Sequence, residues 1–107
     1  MPLDMKTLRV KKLASLSGKT IGLIGVAKPY PVFFQTRFGI HTIFMKISID
    51  VLILDKDFRV VKVAENLKPN NLFFWSPRFD KVIELPAGEI KKNAIQLGEK
   101  INLSDVV

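Results

Sequence analysis

His41 is the only histidine in the chain, and Arg37, Lys46 and Asp50 stand close to it in sequence. An imidazole oriented by a carboxylate suits proton transfer near neutral pH. If the chain turns between them, His41 with Asp50 would serve a weak hydrolase-like activity; an exposed or hydrogen-bonded strand histidine is the plainer reading. No serine occupies a Gly-x-Ser-x-Gly elbow, so a catalytic triad has no support. Lys46 and Asp50 suggest binding instead. A lysine on an apolar strand costs too much to bury without a carboxylate partner. The two are expected to form an ion pair that fixes the 46–50 turn. Alternatively, Arg37, Lys46 and Asp50 line a shallow polar pocket, where the two bases hold a small anionic ligand and Asp50 positions Lys46.

Metal chemistry has little to draw on. The chain has no cysteine, which removes disulfides, thiol catalysis and thiolate metal sites. Asp50, Asp55, Asp57 and Glu84 are the acids that would have to converge with His41, and Asp55 and Asp57 read more simply as turn residues bonded to backbone. No metal and no cofactor is expected. Gly18-Lys19-Thr20 resembles the end of a phosphate-binding loop, but its earlier glycine is missing because position 13 is Leu. Gly22-Leu23-Ile24-Gly25 is equally short of a nucleotide loop.

The formal charge of +7 is uneven: residues 1–53 hold eight basic and two acidic side chains, residues 54–107 nine and eight. Arg9, Lys11, Lys12, Lys19 and Lys28, joined by Arg37, give a basic half that suits nucleic acid. Tyr30, Phe33, Phe34 and Phe38 would stack bases if they lay exposed. Four aromatics so close together in a small chain also read as core, and Phe73-Phe74-Trp75 reads as core closure or as a groove or dimer contact.

These side chains must be carried by short strands. Leu8, Val10 and Leu13 among Arg9, Lys11 and Lys12 describe a half-buried strand with a basic outer face. Lys19 to Ala27 suits strand or helix, and Pro29 and Pro31 make 28–32 a loop. Ile43, Met45, Ile47 and Ile49 share one parity of an extended run beginning at Ile40. Val51–Leu54, a turn at Asp55-Lys56-Asp57 and Phe58–Ala64 form the clearest hairpin. Lys68-Pro69-Asn70-Asn71 is a second turn, Leu72–Trp75 is a strand or a buried loop closed by Ser76-Pro77, and Lys81–Leu85 is a further strand ended by Pro86. Glu89–Leu97 places Ile90, Ala94 and Leu97 on one helical stripe, with Gly98 as a left-handed stop, and Glu99–Leu103 supplies a last strand. The fold expected is mainly β: a small antiparallel barrel or jelly-roll-like sandwich with one or two short helices.

At 107 residues, with 48% hydrophobic and 25% charged side chains, the chain has the size and composition of a single domain spanning 1–107. Its first residues mix basic and apolar side chains around Asp4 and make a poor signal peptide, and no apolar run is long enough to span a bilayer. A cytoplasmic location is therefore expected, without membrane contact, as monomer or homodimer.

Several linked segments resemble the family called domain of unknown function 192 (DUF192). Gly39, Phe44, Met45 and Lys46 resemble its Gly-x-x-Phe-x-Met-Lys/Arg segment in residue type and order, though not in the spacing of Gly, Phe and Met. Ile49-Asp50 resembles its following pair, and Ile83-Glu84-Leu85-Pro86-Ala87-Gly88 its late Leu-Glu-Leu-x-Ala-Gly stretch, with Ile83 in place of the first Leu. The sequence departs from the pattern at Ile43-Phe44 and Ile47-Ser48, which flank Met45-Lys46, and at Gly98-Glu99, where a Gly-Asp pair is usual. The resemblance spans roughly residues 33–103 and implies a compact, mostly β, barrel-like or jelly-roll-like fold with no established activity. The reading that follows is a ligand-binding or interaction domain, its partner a small anionic ligand or a protein, acting near Arg37, Lys46 and Asp50. Nucleic-acid binding and the His41–Asp50 enzyme are the alternatives.

Overall fold

The computed structural model describes residues 5–13, 23–24, 30–42 and 46–105. Lys19, Lys28, the two glycine-rich segments as wholes, and Ile43, Phe44 and Met45 lie outside the described residues. The elements are β1 (Met5–Lys12), β2 (Leu23–Ile24), β3 (Val32–Gln35), β4 (Gly39–His41), β5 (Ile49–Leu54), β6 (Val60–Leu67), β7 (Leu72–Phe74), β8 (Lys81–Pro86), α1 (Glu89–Lys92) and β9 (Lys100–Asp105).

Six strands form one sheet in the order β6-β5-β8-β3-β1-β9, and a smaller sheet has the order β2-β4-β7. The hairpin β5–β6 forms because β5 is apolar on both faces and Asp55 makes the turn. Its Oδ1 accepts the backbone N–H groups of Asp57 at 2.8 Å and Arg59 at 2.9 Å. The large sheet curls until its outer strands meet at one end. Gly98 N–H donates to the Val60 carbonyl, Val60 N–H to Glu99, and Ile101 N–H to Phe58, while Arg59 and Lys100 form an antiparallel bridge. The result is a mostly β half-barrel with one short helix.

Strand alternation explains two cores. Leu52, Leu54, Ile83 and Leu85 face inward with Leu8, Val10 and Ile101, and Ile90 and Ile95 close that cluster. Val51, Ile53, Val82, Val32 and Phe34 face the other way and pack with Ile40 and Trp75. Because β5 and β8 are covered on both faces, Ile49–Leu54 and residues 82–85 are buried throughout.

Three expectations are corrected. The pairing is mixed: β1 runs parallel to both β3 and β9, and β2 runs parallel to β4. The extended run from Ile40 to Ile49 breaks after His41, and Ile47 and Ile49, placed on one parity, differ in burial: Ile47 is exposed and Ile49 buried. The helix ends at Lys92, because Ala94 adopts a left-handed φ of 51° and Ile95 then turns into the core. Leu97, assigned to the buried stripe, is exposed. Gly98 is left-handed as expected, with φ 86°, but serves the turn into β9.

Candidate functional site

Asp50 is fully buried on the inward face of β5. The pairing of β5 with β6 shifts register between Ile49 and Val51, so β6 carries an extra residue there. Asn66 takes a left-handed φ of 53° in this bulge, and its N–H donates to Asp50 Oδ1 at 2.8 Å. Oδ2 accepts Gly88 N–H at 3.1 Å and Ile90 N–H at 2.9 Å. Gly88 has φ 94°, which disfavours any side chain at the entrance to α1. A carboxylate that takes three backbone N–H groups is an architectural bolt joining β5, β6 and the helix. Above it lies a cleft of about 380 Å³ bordered by Glu65, Asn66, Ala87, Gly88 and Lys91.

This arrangement separates the residues grouped by sequence. Among the described residues no ion pair joins exposed Lys46 to Asp50, whose oxygens point inward to backbone donors. His41 lies on β4 of the other sheet and has no hydrogen bond to Asp50 among those residues; its Nδ1 is buried without a hydrogen-bond partner. The expected ion pair and the His41–Asp50 dyad are therefore not what the fold builds. Nor, among the described residues, do three His, Asp or Glu side chains gather as metal ligands.

Arg37 belongs to a different cluster. Trp75 donates its indole N–H to the Phe79 carbonyl at 2.9 Å and so shapes the turn that follows β7. That turn presents the Pro77 carbonyl to Arg37 Nη1 and sets Asp80 3.6 Å from Nη2. Asp80 also meets Lys81 at 3.5 Å and Gln35 at 3.4 Å. Arg37 is thereby oriented while half its side chain stays in water.

Beside Arg37 the small sheet turns an apolar face outward. Gly39 lies opposite Phe74 and His41 opposite Leu72. A Cβ on Gly39 would stand 2.6 Å from the Phe74 ring, so glycine allows that ring to lie across β4. Phe38, Leu72 and Phe74 are 58%, 59% and 57% exposed, and Phe38 is turned outward by a φ of 78°. Thr42 anchors the strand pair, accepting Asn71 N–H at 2.8 Å and donating its hydroxyl to Lys68 carbonyl oxygen at 2.6 Å. Lys62 reaches from β6, donating to the Phe74 carbonyl at 2.6 Å with its ammonium 5.1 Å from the Phe73 ring centre. Sequence reasoning left Phe74 open between core closure and a groove or dimer contact and did not single out Leu72 as a surface group; their alternation with half-buried Phe73 was the available signal.

Of the described residues considered for nucleic acid, Phe38 is exposed next to Arg37, and Lys12 lies opposite Phe33 in the β1–β3 pair. Arg9, Lys11 and Lys12 are exposed on β1. Phe34 is buried, Tyr30 packs partly buried against the second core, and Phe33 stacks on Phe58.

A curled mixed sheet, bolted by a buried aspartate to one turn of helix and backed by a second small sheet, defines a small mostly β protein class. The family model DUF192, described as Uncharacterized ACR, matches residues 6–103, and the chain belongs to this family. It is 36% identical over 89 residues to a UPF0127 protein of Pyrococcus horikoshii, covering 78% of this chain and 76% of the relative. A UPF0127 protein of Pyrococcus abyssi is 39% identical over 70 residues, covering 64% and 59%. The crystal structure of a protein of unknown function from Novosphingobium aromaticivorans superposes with TM-score 0.67 at 19% identity, covering 87% of this chain and 73% of that one. A putative transcription regulator from Sinorhizobium meliloti gives 0.63 at 20% identity, covering 85% and 78%. These two likenesses concern the fold. No helix among the described residues is long and apolar enough to cross a membrane.

Proposed function

We propose that the chain is a binding domain that receives an acidic, extended polypeptide segment with bulky apolar side chains on the outer face of the small sheet. The observation that carries this reading is the group Phe38, Leu72 and Phe74, each more than half exposed on or beside β4 and β7. Scattered exposed apolar side chains are ordinary; a group on one small sheet is a feature of interaction surfaces. Arg37 precedes Phe38 in the chain and Lys62 donates to the Phe74 carbonyl, while Asp80 is engaged by Arg37, Lys81 and Gln35. A second copy of this +7 chain would bring like charges together, whereas an acidic partner complements them. Lys46, exposed after β4, adds to the same sign of charge.

The experiment is a titration of the full chain with a synthetic peptide alternating Glu with Leu and Phe, alongside its Lys-substituted counterpart and an oligothymidylate. The acidic peptide should bind, bind less tightly as salt rises, and lose at least about tenfold in affinity with Arg37→Glu. Equal binding of the basic peptide, or tighter binding of the oligonucleotide, would reject the reading.

A further inference from the structure

We infer that the mouth of the half-barrel is a second, separate binding site that takes a small amphipathic anion, an apolar chain or ring ending in a carboxylate. A cleft of about 380 Å³ opens there between β1, the β5–β6 turn and β9, with Phe58, Ile101 and Leu103 as apolar lining and Lys12 and Lys100 beside them. Its size falls at the lower end of the range for small-molecule sites.

Phe58 is the residue that makes the cleft. It has φ 63°, a left-handed conformation that is uncommon for a bulky aromatic side chain and persists only where the surroundings enforce it. Three contacts do so: its N–H donates to the Asp55 carbonyl at 3.0 Å, its carbonyl accepts Ile101 N–H at 2.8 Å, and Asp55 Oδ1 holds the amides on either side. The ring is thereby carried across the mouth to stack on Phe33, with ring centres 6.2 Å apart. Lys81 stands 5.4 Å from the centre of the Phe58 ring. A turn needing only to reverse the chain has no use for an aromatic at a left-handed position.

The lining settles the ligand's chemistry. Two lysines and an apolar wall border the cleft, and no carboxylate does among the described residues. Inorganic phosphate would leave Phe58, Ile101 and Leu103 unused, and a neutral hydrocarbon would ignore the lysines. An anion with an apolar body uses both. The site takes Phe58, Ile101 and Leu103 from the inward-facing cluster and shares no lining residue with the Phe38–Leu72–Phe74 surface.

The test is titration of the ¹⁵N-labelled full chain with octanoate, with octanol and octylamine as probes of equal chain length. Octanoate should saturate, shifting the amides of Phe58, Ile101 and Leu103, and bind at least about tenfold more tightly than either control. Phe58→Gly keeps the left-handed backbone but removes the ring. Lys100→Glu changes an exposed charge. Each should weaken octanoate at least about tenfold, while Leu72→Ser leaves it unchanged. Should Phe58→Gly fail to fold, Lys100→Glu decides alone. Absence of saturation at millimolar octanoate, octylamine binding as well as octanoate, or undiminished binding by Lys100→Glu would overturn the inference.

Discussion

Asp50 Oδ2 accepts the backbone N–H of Ile90 at 2.9 Å across 40 residues of chain. With Asn66 and Gly88 on the same carboxylate, one side chain fixes where the helix starts and where β6 bulges. Asp50→Ala would leave those donors without their acceptor in a buried site. The expected loss is about 3–5 kcal/mol of stability, and Asp50→Asn, which keeps one acceptor oxygen, should lose less. Urea unfolding monitored by Trp75 fluorescence checks this; an Asp50→Ala protein as stable as the parent would refute it.

Gly39 and Phe74 are matched by close approach. A methyl at position 39 would meet the Phe74 ring at 2.6 Å and the Phe73 carbonyl at 2.7 Å. Gly39→Ala should therefore cost about 1–3 kcal/mol. Adding Phe74→Ala should restore only part of that loss, because the backbone carbonyl remains. A double-mutant cycle measures the split, and full recovery would show that the ring alone sets the limit.

Asp55 organises the tight turn by accepting two backbone amides through one oxygen. Asp55→Ala should destabilise the chain by about 1–2 kcal/mol and Asp55→Asn by less. Thermal unfolding should rank the variants parent, Asn, Ala. An unchanged midpoint for Asp55→Ala would mean that the hairpin ladder holds the turn without it.

Phe38 combines large exposure with a left-handed backbone. Asparagine tolerates that conformation better than phenylalanine. Phe38→Asn should therefore leave stability unchanged or raise it by about 0.5–1 kcal/mol, while weakening the acidic peptide. Parallel denaturation and binding measurements test the pair of effects; a clear loss of stability would assign Phe38 to packing.

The hairpin of Val51–Leu54 and Phe58–Ala64, which the structure extends to Ile49 and Leu67, was legible because its signals are local: an apolar β5, an Asp-rich turn and an alternating return strand. The seat of β1 was not, since its partners β3 and β9 are chosen by packing across most of the chain. Helical periodicity carried α1 too far because nothing in the spacing of Ile90, Ala94 and Leu97 shows that Ile95 is claimed by the core. Asp50 stood out by type and position, but backbone donors from Asn66, Gly88 and Ile90 leave no mark in the side-chain sequence, so Lys46 looked like its natural partner. Arg37 was visible as a candidate, and Phe38 and Phe74 as aromatics open to an exposed role; that Leu72 and Phe74 share one face depends on the pairing of β4 with β7.

The central claim concerns that face, and the most direct test is a chemical-shift map of the ¹⁵N-labelled chain titrated with the alternating acidic peptide. The account predicts saturable shifts concentrated at residues 37–41 and 72–75, with β1 little affected. Shifts concentrated instead around Arg9 and Lys11, or none at saturating peptide, would contradict it.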